Sequence, residues 1–176
     1  MKTTTINPLK ALLGAMLLSG AIVTPVSAEP QGVVLAITGS GLTVVEENFF
    51  FPGSPGFSAR QTISARQKSD GRVEGSFIIQ IWFASNPSPI VLVQDITCLT
   101  LDGNTAYFGA VIRWSSDLSY AKPGDSAVGF VTDTDGNGPD ISWSGPSVFF
   151  LAPGQDCTAR PPMPQLPLAS GNFIVR

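Results

Sequence analysis

The chain has no histidine, only two cysteines among its 176 residues, and few charges, with Asp, Glu, Lys and Arg making up 13%. Each shortage removes a class of chemistry. Without imidazole there is no Ser-His-Asp triad, no Cys-His dyad and almost no zinc site. No window places apolar residues at helical spacing over three turns, and no Gly-rich loop leads into a helix. Folds that grip phosphate at a helix N-terminus are thereby excluded. Basic residues are outnumbered, 10 against 13 acidic, so a phosphate backbone is repelled and nucleic acid is not an expected partner.

One apolar run stands out, and it lies at the start. Lys2 and Lys10 bracket a polar beginning, Ala11 to Val23 is apolar, and Thr24-Pro25-Val26-Ser27-Ala28 supplies small residues before Glu29. That order is the pattern of a secretory signal over residues 1–28, cleaved after Ala28. A buried N-terminal helix is the alternative. The run is shorter than the roughly 20 residues a membrane-spanning helix needs. The expected product, residues 29–176, is a single β domain that is secreted or periplasmic. It has no second long apolar segment and no basic amphipathic stretch, so no membrane insertion is expected after cleavage. In an exported chain Cys98 and Cys157 are expected to pair, with two buried free thiols as the alternative. A bridge closing so long a loop contributes about 4 kcal/mol in the chain-entropy model.

What the sequence does contain is alternation and turns. From Arg72 to Phe83 the odd positions Val73, Gly75, Phe77, Ile79, Ile81 and Phe83 are apolar, while the even positions are mostly polar. This is the period-two pattern of a half-buried strand. Phe57 to Gln67 precedes it across Asp70-Gly71, a tight-hairpin signal. Ile90–Leu101 and Thr105–Trp114 form a second pair around Asp102-Gly103-Asn104, with a β-bulge expected near Gln94-Asp95 where the apolar face changes. Ser126–Thr132 and Ile141–Trp143 form a third pair. Val33–Thr38 and Leu42–Phe51 flank Gly39-Ser40-Gly41, and Asn172–Arg176 closes the chain. About nine strands in hairpin succession predict an all-β fold, a single antiparallel up-and-down β-barrel, with a β-sandwich as the alternative. The proline-rich segment 152–167 is expected to be a surface strap, because proline lacks the donor a central strand needs.

Few residues offer chemistry. Asp133-Thr134-Asp135-Gly136-Asn137-Gly138-Pro139-Asp140 begins like a calcium loop, with Asp133, Asp135 and Asn137 at the first three ligand positions. The match then fails, since Ser144 stands where a bidentate Glu is needed and no helix flanks the loop; a polar hairpin turn is the plainer reading. Glu74 and Asp102 read as solvated. Asp95 lies between Val93 and Ile96, so unbroken alternation would turn its carboxylate inward, where Arg113 is its expected partner. A bulge residue facing water is the plainer reading. Trp82 stands on the polar face of its strand and, with Tyr107, is a candidate ligand contact; core packing is the commoner role of strand aromatics. The candidate binding residues are therefore Trp82, Asp95, Tyr107 and Arg113.

Several of these segments occur together elsewhere. Gly39-Ser40-Gly41, Phe57-Ser58-Ala59-Arg60, Asp70-Gly71, Ile96-Thr97-Cys98-Leu99, Asp102-Gly103-Asn104-Thr105-Ala106 with Gly109, Asp135-Gly136-Asn137-Gly138 and Asp156-Cys157 resemble a family of small secreted bacterial proteins with no assigned activity. The resemblance spans most of Gly39–Arg176, and the Thr-Cys-Leu segment with the Gly-Asn-Thr-Ala turn is its most specific part. It implies a secreted β domain with a Cys98–Cys157 pair and supplies no catalytic residues. The proline-rich stretch after Cys157 and the insert near Phe51–Pro55 depart from it. The expectation is a non-enzymatic barrel that binds a small apolar ligand or another surface, with no catalytic residue and no cofactor. A His-free enzyme of cyclase or isomerase type, or a structural assembly domain, is the alternative. An enzyme requires polar groups converging inside the barrel, with Asp95, Arg113 or Tyr107 among them.

Overall fold

The computed structural model describes residues 32–47, 55–147 and 156–176. The expected leader at 1–28 lies outside them, as do the insert near Phe51 and the first part of the strap. The described residues form eight antiparallel strands, each hydrogen-bonded to the next, with the last paired back to the first in a closed ring. They are β1 (Val33–Glu47), β2 (Pro55–Lys68), β3 (Val73–Phe83), β4 (Ile90–Asp102), β5 (Thr105–Ser115), β6 (Ser126–Thr132), β7 (Ile141–Pro146) and β8 (Leu166–Val175). This is the expected up-and-down barrel; the sandwich alternative falls because no strand leaves the ring.

Alternation places the core. On β2 the buried residues are Ala59, Gln61, Ile63 and Ala65, and on β3 Phe77, Ile79 and Ile81, while Arg60, Thr62, Ser64 and Arg66 face out. The Lys68–Gly71 turn closes as its sequence demands, with Gly71 at φ 83° and its N–H donating to the Lys68 carbonyl at 2.9 Å. Outside the ring Glu74 accepts from Lys68 and Arg66, and these bonds hold its carboxyl below the usual range.

Three expectations need correction. First, Gly39-Ser40-Gly41 is not a turn between two strands but the middle of β1, which reduces nine strands to eight. Both glycines lie where β8 closes the ring. A Cβ on Gly39 would come within 2.3 Å of the Asn172 carbonyl oxygen and 2.9 Å of the Phe173 ring, and one on Gly41 within 2.5 Å of Leu168. Glycine here makes room for two core side chains of the neighbouring strand. Second, a register slip with β5 does fall between Val93 and Gln94, where a bulge is expected, with Arg113 the extra residue on β5, but the apolar face of β4 changes at Thr97, where another slip lies between Ile96 and Cys98. Gln94 therefore points inward and Asp95 outward. Third, the last strand begins at Leu166, so the strap ends earlier than expected and Pro167 enters β8. It is tolerated there because it sits at the strand's start, paired with Ile141.

The β7–β8 seam has only two paired positions, Ile141 with Pro167 and Ser142 with Leu166. Carboxylates complete what the ladder omits. Asp140 is buried, and its Oδ2 accepts from the Phe173 amide at 2.6 Å while its Oδ1 accepts from the Thr134 amide at 3.0 Å and hydroxyl at 3.1 Å. Its carbonyl accepts from the Leu168 amide at 2.8 Å, and Asp133 Oδ2 accepts from the Val175 amide at 3.2 Å.

Cys98 and Cys157 are joined, with Cα atoms 6.0 Å apart, and no free cysteine remains among the described residues. The bridge fastens the strap to β4. Next to it Asp156 caps a 3-10 turn at Cys157–Ala159, accepting from the Thr158 amide and hydroxyl, which lowers its pKa. Arg160 then donates to the Leu101 carbonyl at 2.6 Å and pairs with Asp102 at 3.3 Å.

Two outcomes are expected from this scheme. The Cys98→Ser/Cys157→Ser double variant should lose about 4 kcal/mol in urea unfolding; an unshifted midpoint would mean the bridge does not constrain the chain. Asp140→Ala strips a buried acceptor from three donors and should cost about 3 kcal/mol, with Asp133→Ala, half-buried and less engaged, costing about 1 kcal/mol.

Candidate functional site

The barrel interior has two unlike ends. At one, Phe77, Phe108 and Phe173 are fully buried, with the Phe77 and Phe108 rings 5.0 Å apart, and Ile37, Ile63, Leu99, Ala106 and Val131 fill the space around them. Gly129 faces Phe108, and a Cβ there would come within 2.4 Å of that ring. This end is packed solid.

The other end holds a cavity of about 890 Å³. Its walls are apolar: Phe57, Ile79, Ile81, Phe83, Leu92, Ile112 and Trp143, with small residues such as Ala59 and Ala127 leaving the space open. Eight strands give a ring just wide enough either to fill with side chains or to hold one small ligand, and here each end of the same ring adopts one of these solutions. Aromatic rings line the outer part. Phe57 lies 5.9 Å from Phe83 and 6.4 Å from Trp143, and Phe83 lies 6.1 Å from Tyr120.

Tyr120 belongs to the loop between β5 and β6, which also brings Ala121, Gly124 and Asp125 to the cavity. The loop is tied down by its own hydrogen bonds. The Gly124 amide donates to the Ile112 carbonyl at 2.8 Å, the Ile112 amide to the Asp125 carbonyl at 2.8 Å, and the Lys122 amide to Asp125 Oδ2 at 2.7 Å. Asp117 accepts from the Ser119 hydroxyl at 2.6 Å and amide at 2.9 Å, which lowers its pKa. Tyr120 is 46% exposed, yet the apolar surroundings of its phenol push its pKa up.

The most deeply buried polar side chains at this end are Thr43, Gln61, Gln94 and Ser142, each no more than 3% exposed. Three form a chain across the interior. Gln61 Nε2 donates to Thr43 Oγ1 at 3.3 Å, and the Ser142 hydroxyl donates to Gln61 Oε1 at 3.1 Å. This links β1, β2 and β7 through the lumen. Gln94 stands apart, paired in register with Phe77 on β3 and Ile112 on β5, and its Oε1 meets no hydrogen-bond donor among the described residues. Gln61, Gln94 and Thr43 all line the cavity.

The residues expected from the sequence lie elsewhere. Asp95 pairs with Arg113 at 3.3 Å as expected, but on the outer face, with side chains 50% and 60% exposed. Tyr107 is also outside, against Phe130 with ring centroids 5.9 Å apart. Trp82 faces out between the polar residues of β3 and borders a shallow groove with Val44, Pro55 and Ser58. None of these four lines the cavity. Trp114 is exposed on the outside of β5, so only Trp143 among the tryptophans reaches the cavity.

In the 133–140 loop both side-chain oxygens of Asp133, the first ligand expected for calcium, bind the chain itself. Asp133 Oδ1 accepts from the Asp135 amide at 2.9 Å, and its Oδ2 is the acceptor for Val175. Among the described residues no three acidic side chains converge on one point. Calcium takes six to eight oxygens, and two of those expected here, both of Asp133, are already acceptors for backbone amides.

Gln61, Gln94 and Thr43 carried a readable signal that the sequence reading passed over. Gln61 shares the parity of Ala59 and Ile63, and Gln94 that of Leu92 and Ile96, so each is a polar residue on an apolar face. Comparison with protein-family models, with curated proteins and with solved structures gives no match.

Proposed function

We propose that this protein is a secreted or periplasmic, non-enzymatic barrel that binds a small, mostly apolar molecule inside its open end. The observation carrying this reading is the cavity itself. It is large enough for a ligand of drug-like size, walled by aromatic and aliphatic side chains, and furnished with a few buried amides and hydroxyls. An interior meant only to hold the fold would pack throughout as it does around Phe77 and Phe108, since voids in protein cores are small and few.

The groups that would favour an enzyme do not meet there. Asp95, Arg113 and Tyr107 lie on the outer wall, and the cavity's buried polar groups are amides and hydroxyls that do not titrate near neutral pH. Such groups orient a ligand without moving protons. The disulfide supports an oxidising compartment. No helix among the described residues is long and apolar enough to cross a membrane. The outer face of β2 bears Arg60, Thr62, Ser64 and Arg66 rather than the apolar band of a membrane barrel.

Ala59 lies on the cavity wall and is 2% exposed. The expected result is that a neutral apolar dye such as Nile red binds the protein with one-to-one stoichiometry. Ala59→Phe, which grows into the open space, should weaken the dye at least tenfold while costing no more than about 1–3 kcal/mol of stability. Dye binding that survives Ala59→Phe unchanged places the dye outside the barrel and removes the reading.

A further inference from the structure

We propose that the molecule seated in the cavity is uncharged and carries a hydroxyl that donates to Gln94 at the cavity floor. This rests on the reading of the cavity as a ligand site and adds the chemistry of the ligand's polar end.

The argument begins with which buried polar groups are already satisfied. Gln61 is held between Thr43 and Ser142, giving a donor to one and taking a hydrogen bond from the other. Gln94 is just as buried, at 2% exposure, but its carbonyl oxygen has no donor among the described residues. A buried acceptor left unmatched is costly, and nearly all such groups in folded proteins find a partner, water included. A Leu or Met at this position would match its neighbours Leu92 and Ile96 on the inward face of β4. The amide therefore marks a place where a partner arrives from outside the chain.

Its position fixes what that partner is. Gln94 lies beside Phe77, which packs on Phe108 and plugs the barrel below it. The cavity extends from there to Tyr120 and Asp125 in the β5–β6 loop. A ligand group that reaches Gln94 has crossed an apolar lumen. A carboxylate or ammonium brought so deep would meet no counter-charge, because among the described lining residues the one charged side chain is the exposed Asp125. A ketone or ether offers only acceptors and leaves the Gln94 oxygen unmatched. A hydroxyl supplies the donor and can also accept from the amide nitrogen of the same side chain. In the empty protein a water can fill this role, and the hydroxyl of an entering ligand displaces it.

The test uses three probes of one chain length, 1-decanol, decanoate and decylammonium, each displacing Nile red from the full-length secreted protein with its disulfide intact, at pH 7.5. Decanol is expected to displace the dye at least tenfold more effectively than either charged probe. Gln94→Leu is expected to weaken decanol by about fivefold relative to Nile red measured on the same variant, the factor one neutral hydrogen bond contributes. Near-UV circular dichroism checks that the variant is folded, and Gln94→Met serves in its place if the leucine variant is not. Equal displacement by decanoate or decylammonium overturns the inference, as does decanol binding that is indifferent to Gln94; in both cases the cavity remains a binding site. Failure of Nile red and of every probe to bind the folded wild-type protein overturns the binding reading itself, and this inference with it.

Discussion

Everything in this fold depends on the pairing of β8 with β1. Pairing of each strand with the next makes a curled sheet, but only the return of the last strand to the first makes a ring. β1 is long enough to serve two partners, aligning Ile37 to Thr43 with Val175 to Leu168 on one side and with Ala65 to Ala59 on the other. The approach is close because Gly39 and Gly41 carry no side chain where Phe173 and Leu168 need space. The β7–β8 seam is weaker in main-chain bonds, and there Asp140 and Asp133 accept from strand amides that would otherwise lack a partner. The Cys98–Cys157 bridge then ties the segment that leads into β8 onto β4.

Closure creates an interior, and side-chain volume decides what it becomes. Where β1 begins and β2 ends, large residues meet: Ile37, Ile63, Phe77, Phe108 and Phe173. Where β2 begins and β3 ends, Ala59, Ala121 and Ala127 replace them on parts of the wall, and the lumen stays open. The two ends have the same strand geometry, so the difference is one of composition. Burying Gln61, Thr43 and Ser142 there has a cost that their mutual hydrogen bonds offset. The chain they form also braces β7 against β2 across the lumen, near the seam that has fewest ladder bonds. Gln94 has no such role, and its carbonyl oxygen meets no donor among the described residues.

Much of the architecture was legible in the sequence. The strict alternation from Val73 to Phe83 and the Asp70-Gly71 turn leave one register for that hairpin, because a one-residue slip would expose Phe77 and Ile79. The pairing of Cys98 with Cys157 follows from an even cysteine count in a chain that begins like an exported one. What escaped depends on contacts far apart in sequence. Gly39-Ser40-Gly41 has the composition of a turn, and only the arrival of Phe173 explains it as a strand interior. The inward position of Gln94 escaped because the apolar face of β4 changes at Thr97 and not at Gln94-Asp95, and only the register with β5 places that slip. β8 was read as starting at Asn172 because prolines precede it, yet two paired residues suffice to bring Leu166 and Pro167 into the sheet. The cavity was not legible at all. It is a difference of volumes summed over all eight strands and the β5–β6 loop, and no single segment reports it.

The closed ring is tested most directly by amide hydrogen exchange at β1 and β8. In a ring, the amides of Gly39–Leu42 and of Asn172–Ile174 that bond across the closure exchange only through global unfolding, as slowly as those in the centre of β3. If these amides exchange as freely as an unpaired sheet edge while β3 stays protected, the ring is open and its enclosed interior does not exist.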